Sequence, residues 1–382
     1  MKVLLVPDSF KGTISSERAI ELLKQAVDTH FPGSQIMGIP IGDGGEGTMK
    51  ALIIAKGGTC ASCKVTGPLG EPVTAVYGIL DNDTVVLETA QASGLPLIDS
   101  SRLDPVHASS FGSGELLKEV LKKGYRNIYL TIGGSATNDG GVGAATALGI
   151  RFLKENGETA APDASELSEI TKIDVSGLLP ELKEAQIKIM CDVSNPLLGP
   201  TGATHIYGKQ KGVTEELEGP IEKGMEHFAD IVEQTCGFSI RDTPGSGAAG
   251  GFAVPLLAFA KCSLCSGIET VLEILNFDRL LEGVDLVISG EGRLDGQSSQ
   301  GKVLDGIGEA CKKKNIPVVA LVGGIGDGAS QIYSCGVRSA MSSVNNIMTA
   351  QEAFSRAEEL FLDAADRMCR FIKVGMELKK EG

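Results

Sequence analysis

The chain has 382 residues, with 35 Lys plus Arg against 49 Asp plus Glu and a formal net charge of −14. That balance repels phosphate backbones and anionic lipid, and no basic run offsets it, so neither nucleic acid nor a membrane surface is an expected partner. Hydrophobic residues at 42% and charged residues at 22% exclude a disordered chain, and the length leaves room for two or three domains with sizeable cores. Lys2 to Val6 is a short apolar run stopped by Pro7, and it predicts a first strand. A polar turn, Asp8 to Thr13, leads to a helix capped by Ser15 or Ser16, with Ile20, Leu23, Ala26 and Val27 on its apolar face. A second strand, Gln35 to Ile41, runs into Gly42-Asp43-Gly44-Gly45-Glu46-Gly47-Thr48 and another helix.

Residues 64–88 then read as three extended runs with turn signals between them, an antiparallel meander. A helix near Glu115 to Lys123 and a strand at Asn127 to Ile132 precede the densest glycine cluster, Gly133 to Gly143. A strand at Ile187 to Met190 ends in Cys191-Asp192-Val193-Ser194-Asn195-Pro196. The β-α rhythm returns with strands at Asp285 to Ser289, Pro317 to Val322 and Val337 to Met341. One long amphipathic helix, Gln351 to Ile372, is predicted to place Phe354, Ala357, Phe361, Ala364 and Met368 on one face. Five strands alternating with helices fit an α/β fold, a flavodoxin-like doubly wound parallel sheet interrupted by a large insertion. The expected boundaries are 1–61 and 283–382 for the discontinuous flavodoxin-like domain and 62–282 for the insertion.

Nine Cys are an odd number spread over a long chain, the apolar N-terminal run is too short for a signal peptide, and the longest apolar stretch, Phe252 to Ala260, is short of a membrane span. A cytoplasmic protein with reduced thiols is expected. Cys60-x-x-Cys63 and Cys262-x-x-Cys265 could together build a four-thiolate zinc site, against the alternative of small buried side chains. The four His make no metal spacing, and no Gly-x-Ser-x-Gly elbow is present.

Gly is 50 of the 382 residues, about twice the usual ~7%, and four glycine-rich segments each open a helix. Backbone N–H groups at a helix N-terminus attract anions, and glycine lets the main chain come close. Gly296 to Lys302 spells G-x-x-x-x-G-K, although Val303 replaces the Ser or Thr that would hold magnesium in a phosphate loop. Here Lys302 and Arg293 would meet phosphate or carboxylate charge, with Glu291 or Asp295 towards a metal. In the second segment Gly133, Gly134, Ser135, Thr137 and Asn138 are candidate ligand contacts, since close packing alone does not call for its polar members. Gly245 to Gly250 matches G-x-G-x-x-G, with Glu269 near the distance of a ribose acid, but no strand precedes it. A dinucleotide site is therefore rejected and only a nucleotide or phosphate contact at Gly247 is kept. Asp8, Lys11, Asp43, Glu46, Asp192 and Asn195 sit after strands or in turns, where carboxylates can hold magnesium or take a hydroxyl proton. Lys209-Gln210-Lys211-Gly212 could clamp an anion through Lys211, or be a solvated turn.

Taken in order, Asp8-Ser-Phe-Lys-Gly12, Asp43-Gly-Gly-Glu-Gly-Thr48, Thr131 to Gly141, Cys191 to Pro196 and Gly290-Glu-Gly-Arg-Leu-Asp295 resemble the bacterial glycerate kinase family over essentially the whole chain. The resemblance implies a flavodoxin-like domain with an inserted second α/β domain, and an active site in the interdomain cleft. It implies ATP- and magnesium-dependent phosphorylation of D-glycerate, at the 2-hydroxyl with the 3-hydroxyl as the alternative. Under it Asp192 would accept the hydroxyl proton, Asp43, Glu46, Glu291 or Asp295 would serve the metal, and Asp8 would join the catalytic set. Lys11, Arg293 and Lys302 would neutralise anionic charge, while Gly133 to Gly141 would cradle nucleotide phosphate and Asn195 would contact ligand. A kinase for another small hydroxy acid and a flavodoxin-like binding protein are the rival readings; monomer and homodimer are both open.

Overall fold

The computed structural model describes residues 1–299 and 301–378. They divide into two compact units, one made of Met1–Asp43, Lys50–Lys56 and the chain from Gly267 on, the other of Gly44–Met49 and Gly57–Ser266. The insertion expected at 62–282 therefore spans 57–266 and takes the 44–49 turn with it. At its start, the strand Thr59–Thr66 pairs along its whole length with Pro72–Ile79. At its end, the helix Gly267–Leu275 lies with the first unit, where Ile268 packs against Gly306.

The first unit is built on a five-stranded sheet in which every pairing is parallel. Across it run Gln35–Gly38, Lys2–Pro7, Leu286–Gly290, Val318–Val322 and Val337–Ser342. Numbered as the chain visits them, the strands lie in the flavodoxin order 2-1-3-4-5. Val3 to Val6 are inaccessible to water, which is why a central parallel strand reads as an unbroken apolar run. The helix Ser16–His30 covers one face with Leu22, Leu23, Ala26 and Val27. It starts where the Ser15 hydroxyl accepts the Arg18 N–H at 3.2 Å. Ser15→Ala is expected to cost about 1 kcal/mol, measured as a lower urea midpoint with an unchanged denaturant slope.

The long C-terminal helix expected over 351–372 is two helices, Ala350–Ser355 and Ala357–Leu378, broken at Arg356. Phe361, Ala364 and Met368 are buried as expected, with Phe361 edge-on to Phe10 at 5.0 Å between centroids. Phe354 belongs to the shorter helix and is 65% exposed, so it does not share that face.

In the second unit a six-stranded sheet runs Cys262–Cys265, Gln186–Met190, Asn127–Thr131, Thr84–Glu88, Pro72–Ile79, Thr59–Thr66. The first four strands are parallel, so the third run of the expected meander turns to pair in parallel with Asn127–Thr131. The two Cys-x-x-Cys pairs lie on opposite edge strands, five spacings or about 24 Å apart. That separation rules out a shared zinc. An antiparallel pair, Arg151–Lys154 with Ile170–Asp174, packs with the helix Glu215–Cys236 around Phe152 and Phe228. No helix among the described residues is long and apolar enough to cross a membrane.

Candidate active site

Ligands of parallel α/β sheets bind beyond the carboxyl ends of the strands, and in the first unit those ends surround a cavity of about 600 Å³. Asp8 follows the strand Lys2–Pro7, and Glu291 follows Leu286–Gly290. With Lys11, Asp43, Arg293 and Lys302 they form the charged part of the cavity lining. Burial raises the Asp8 carboxyl to about 7, with Asp43 and Glu291 pushing the same way; the Ser9 N–H and Lys11 oppose. Burial likewise raises Glu291 to about 7, helped by Asp295 and Asp43 and opposed by the Ser298 hydroxyl and Lys302. The Glu291 Oε1 atom is buried with no hydrogen-bond partner among the described residues. The cavity thus sets three carboxyl groups beside three cations.

In the G-x-x-x-x-G-K segment Lys302 reaches the cavity, and the two glycine amides are engaged elsewhere. The Gly296 N–H donates to Asp327 O at 2.9 Å, and the Gly301 N–H donates to Asp305 Oδ2 at 2.8 Å. Gln300 lies outside the described residues. Lys302 stands at the start of the helix Val303–Lys313 and lines the cavity. Arg293 is largely exposed and pairs with Asp295 at 3.4 Å.

In the second unit the Gly133 to Gly141 loop leaves the strand Asn127–Thr131 with only Gly133 and Gly134 exposed. Ser135, Thr137, Asn138 and Asp139 are buried. Asp139 accepts the Ser110 N–H and hydroxyl at 2.8 and 2.7 Å and the N–H groups of Gly141 and Gly143 at 3.1 and 3.3 Å. Its carboxylate therefore fills the N-terminus of the helix Val142–Ala147, where the sequence suggested an incoming phosphate. Lys211 is also internal: its Nζ donates to Ser135 Oγ at 2.9 Å and to Thr137 O at 2.7 Å. Burial pushes its amine down to about 7 against the pull of Asp139. Lys211 holds the loop from inside, while Lys209 is exposed. Gly247 is buried too, and a Cβ there would collide with the Pro196 carbonyl oxygen.

Other residues singled out from the sequence stand at the second unit's surface. Asp192 is exposed in the turn after Gln186–Met190. Asn195 is held by donating to Thr201 O at 2.7 Å and accepting the Tyr207 hydroxyl at 2.6 Å. Glu46 belongs to this unit; its main chain and carboxylate lie beside Gly133 and Gly134. What holds it there is Glu88, which the sequence reading missed. Glu88 Oε1 accepts the N–H groups of Gly47 and Met49, both at 3.0 Å, and burial raises its carboxyl. A lone carboxylate ending an apolar strand was the available signal.

Comparison with known proteins gives the arrangement a family. A model of the glycerate kinase family matches residues 3–373. The glycerate kinase of Bacillus subtilis (strain 168) is 39% identical over 381 residues, covering 100% of this chain and 99% of the relative. The glycerate 2-kinase of Escherichia coli (strain K12) is 38% identical over 377 residues, covering 98% and 99%. The solved structure assigned as glycerate kinase 2 of Salmonella typhimurium LT2 superposes with a TM-score of 0.88 at 35% identity, covering 99% of each chain. The chain belongs to the glycerate kinase family and is a phosphotransferase.

Proposed function

We propose that the chain transfers the terminal phosphoryl group of ATP to the 2-hydroxyl of D-glycerate, giving ADP and 2-phospho-D-glycerate, with magnesium as the required cation. The reading is carried by the gathering of Asp8, Asp43 and Glu291 with Lys11 and Lys302 around one cavity at the carboxyl ends of a parallel sheet. Phosphoryl transfer asks a protein mainly to position its reactants and neutralise their charge. The 2-position follows the Escherichia coli relative, a glycerate 2-kinase. A cytoplasmic setting fits nine cysteines that are all free.

The donor set suits magnesium. Glu291 offers an unpartnered buried oxygen, and Asp8 and Asp43 repel each other and Glu291. No group of three His, Cys, Asp or Glu among the described residues forms a ready-made cage. Magnesium commonly takes one or two carboxylates and completes its shell with water and phosphate oxygens, and Asp43 and Glu291 are assigned to it. When bound, it supplies charge neutralisation for the triphosphate. Lys11 and Lys302 meet phosphate oxygens, and Asp295 orients Arg293 at the cavity. In the second unit, the exposed Gly133–Gly134 main chain, Glu46 and the fixed Asn195 amide are assigned to glycerate. Asp192 is assigned the proton from its hydroxyl.

An ADP-release assay on D-glycerate, with phosphorus NMR of the product, tests the reading. ADP formed in step with a 2-phosphate signal is expected; no turnover with glycerate alongside turnover of another hydroxy acid would overturn it. Asp192→Asn is expected to lower kcat about a hundredfold. Since Asp192 is exposed, the urea midpoint should not move. A kcat within threefold of wild type would remove Asp192 as the base.

A further inference from the structure

We propose that the apolar half of the first unit's cavity is a subsite for the nucleobase and ribose of the phosphoryl donor, with Phe354 as its main contact. The inference rests on ATP being that donor. The cavity holds about 600 Å³, the scale of a drug-sized ligand rather than a three-carbon acid, and its lining is divided in character. Asp8, Lys11, Asp43, Glu291, Arg293 and Lys302 give it charged members, whereas Ile325, Val344, Ala350, Ala353 and Phe354 give it apolar ones. Glycerate has no apolar surface to bury against the apolar members. A nucleoside triphosphate carries both characters in one molecule.

Phe354 is 65% exposed, Ile325 53% and Val344 36%, three large apolar side chains left to water around one cavity. The helix that carries Phe354 is anchored at its start. This helix, Ala350–Ser355, opens with a capping box in which Thr349 Oγ accepts the Glu352 N–H at 3.2 Å and Glu352 accepts the Thr349 N–H at 2.8 Å. Ala350, Ala353 and Ala357, which carry only methyl side chains, line the same cavity. The main chain here offers little for reading base edges. The N–H groups of Gly323 and Gly324 donate to Glu291 O and Gly292 O at 3.0 and 3.1 Å. The subsite therefore holds a base by contact area and stacking.

Phe354→Ala is expected to raise the KM for ATP about tenfold, the scale of one base–aromatic stack. The KM for D-glycerate, kcat and the thermal midpoint should stay within error, because the side chain lies largely outside the core. Phe354→Tyr should retain wild-type behaviour. Adenosine, which lacks phosphate, is expected to compete with ATP in the wild type and about tenfold more weakly in Phe354→Ala, while inorganic triphosphate inhibits both equally. An unchanged KM for ATP, or equal inhibition of both proteins by adenosine, would overturn the subsite. Calorimetric titration with adenosine reads the subsite without turnover. Adenosine bound by the wild type and about tenfold more weakly by Phe354→Ala, with no ADP formed from glycerate, would sink the kinase reading and keep the subsite. Turnover with no adenosine binding would do the reverse.

Discussion

Replacing Glu291 by Gln is expected to lower glycerate phosphorylation on the order of a thousandfold and, in magnesium-free buffer at pH 8, to make the protein more stable. The two effects share one origin. Glu291 is buried beside Asp295 and Asp43, and its carboxyl is raised from 4.5 to about 7 in the folded chain. The folded state thus keeps a proton that the unfolded state releases between about pH 4.5 and 7. Stability falls as pH rises through that window, and the loss is complete at pH 8. The amide keeps the shape without the charge and recovers about 1 to 2 kcal/mol, part of what a shift of that size represents, because neighbouring carboxylates share the strain. Urea titration at pH 8 and at pH 4 checks the sign: the variant should exceed wild type at pH 8 and match it at pH 4. Magnesium should raise the thermal midpoint of the wild type and leave the variant's in place. Joint loss of activity and stability at pH 8 would make Glu291 a structural residue. Trading stability for a charged site is a common pattern in enzymes.

The sheet of the first unit was legible because buried parallel strands are unbroken apolar runs, as in Val3 to Val6 and Val287 to Ile288. Its order followed from the β-α rhythm. The insertion's edges were harder to read. Cys262–Cys265 is a half-buried edge strand with little apolar content, and Thr59–Thr66 alternates where it begins. In the loops, composition identified polar residues near glycine but not the direction in which each points. Asp8 and Glu291 face a cavity, whereas Asp139 and Lys211 face inward and hold their own loop together. All four sit in or near glycine-rich turns, and what separates them is contact with distant segments: Ser110 for Asp139, and Ser135 and Thr137 for Lys211. Glu88 shows the converse. It has no glycine beside it, yet it fixes the turn that carries Glu46.

Gly250→Ala is expected to destabilise the second unit by about 3 kcal/mol, while Gly301→Ala, in the other glycine motif, should cost about 1 kcal/mol. Both glycines have positive φ, +71° and +79°, so both substitutions carry the strain of a left-handed Ala. They differ in what surrounds them. A Cβ on Gly301 would meet nothing within 4 Å, whereas one on Gly250 would collide with the Thr137 carbonyl oxygen and lie 2.6 Å from Asn138 Cα. Those neighbours are backbone and cannot rotate aside. Gly140 adds to the constraint, donating its N–H to Gly250 O at 2.9 Å. The G-x-G-x-x-G spacing is thus used for main-chain packing: Gly247 seats on Pro196 and Gly250 on Thr137 and Asn138. Because the second contact underlies the loop carrying Gly133 and Gly134, Gly250→Ala should also raise the KM for glycerate, an effect absent from Gly301→Ala. Urea midpoints and glycerate saturation curves for the two variants provide the comparison. Equal costs would mean that backbone conformation alone demands glycine at 250, and that the close approach has no energetic weight.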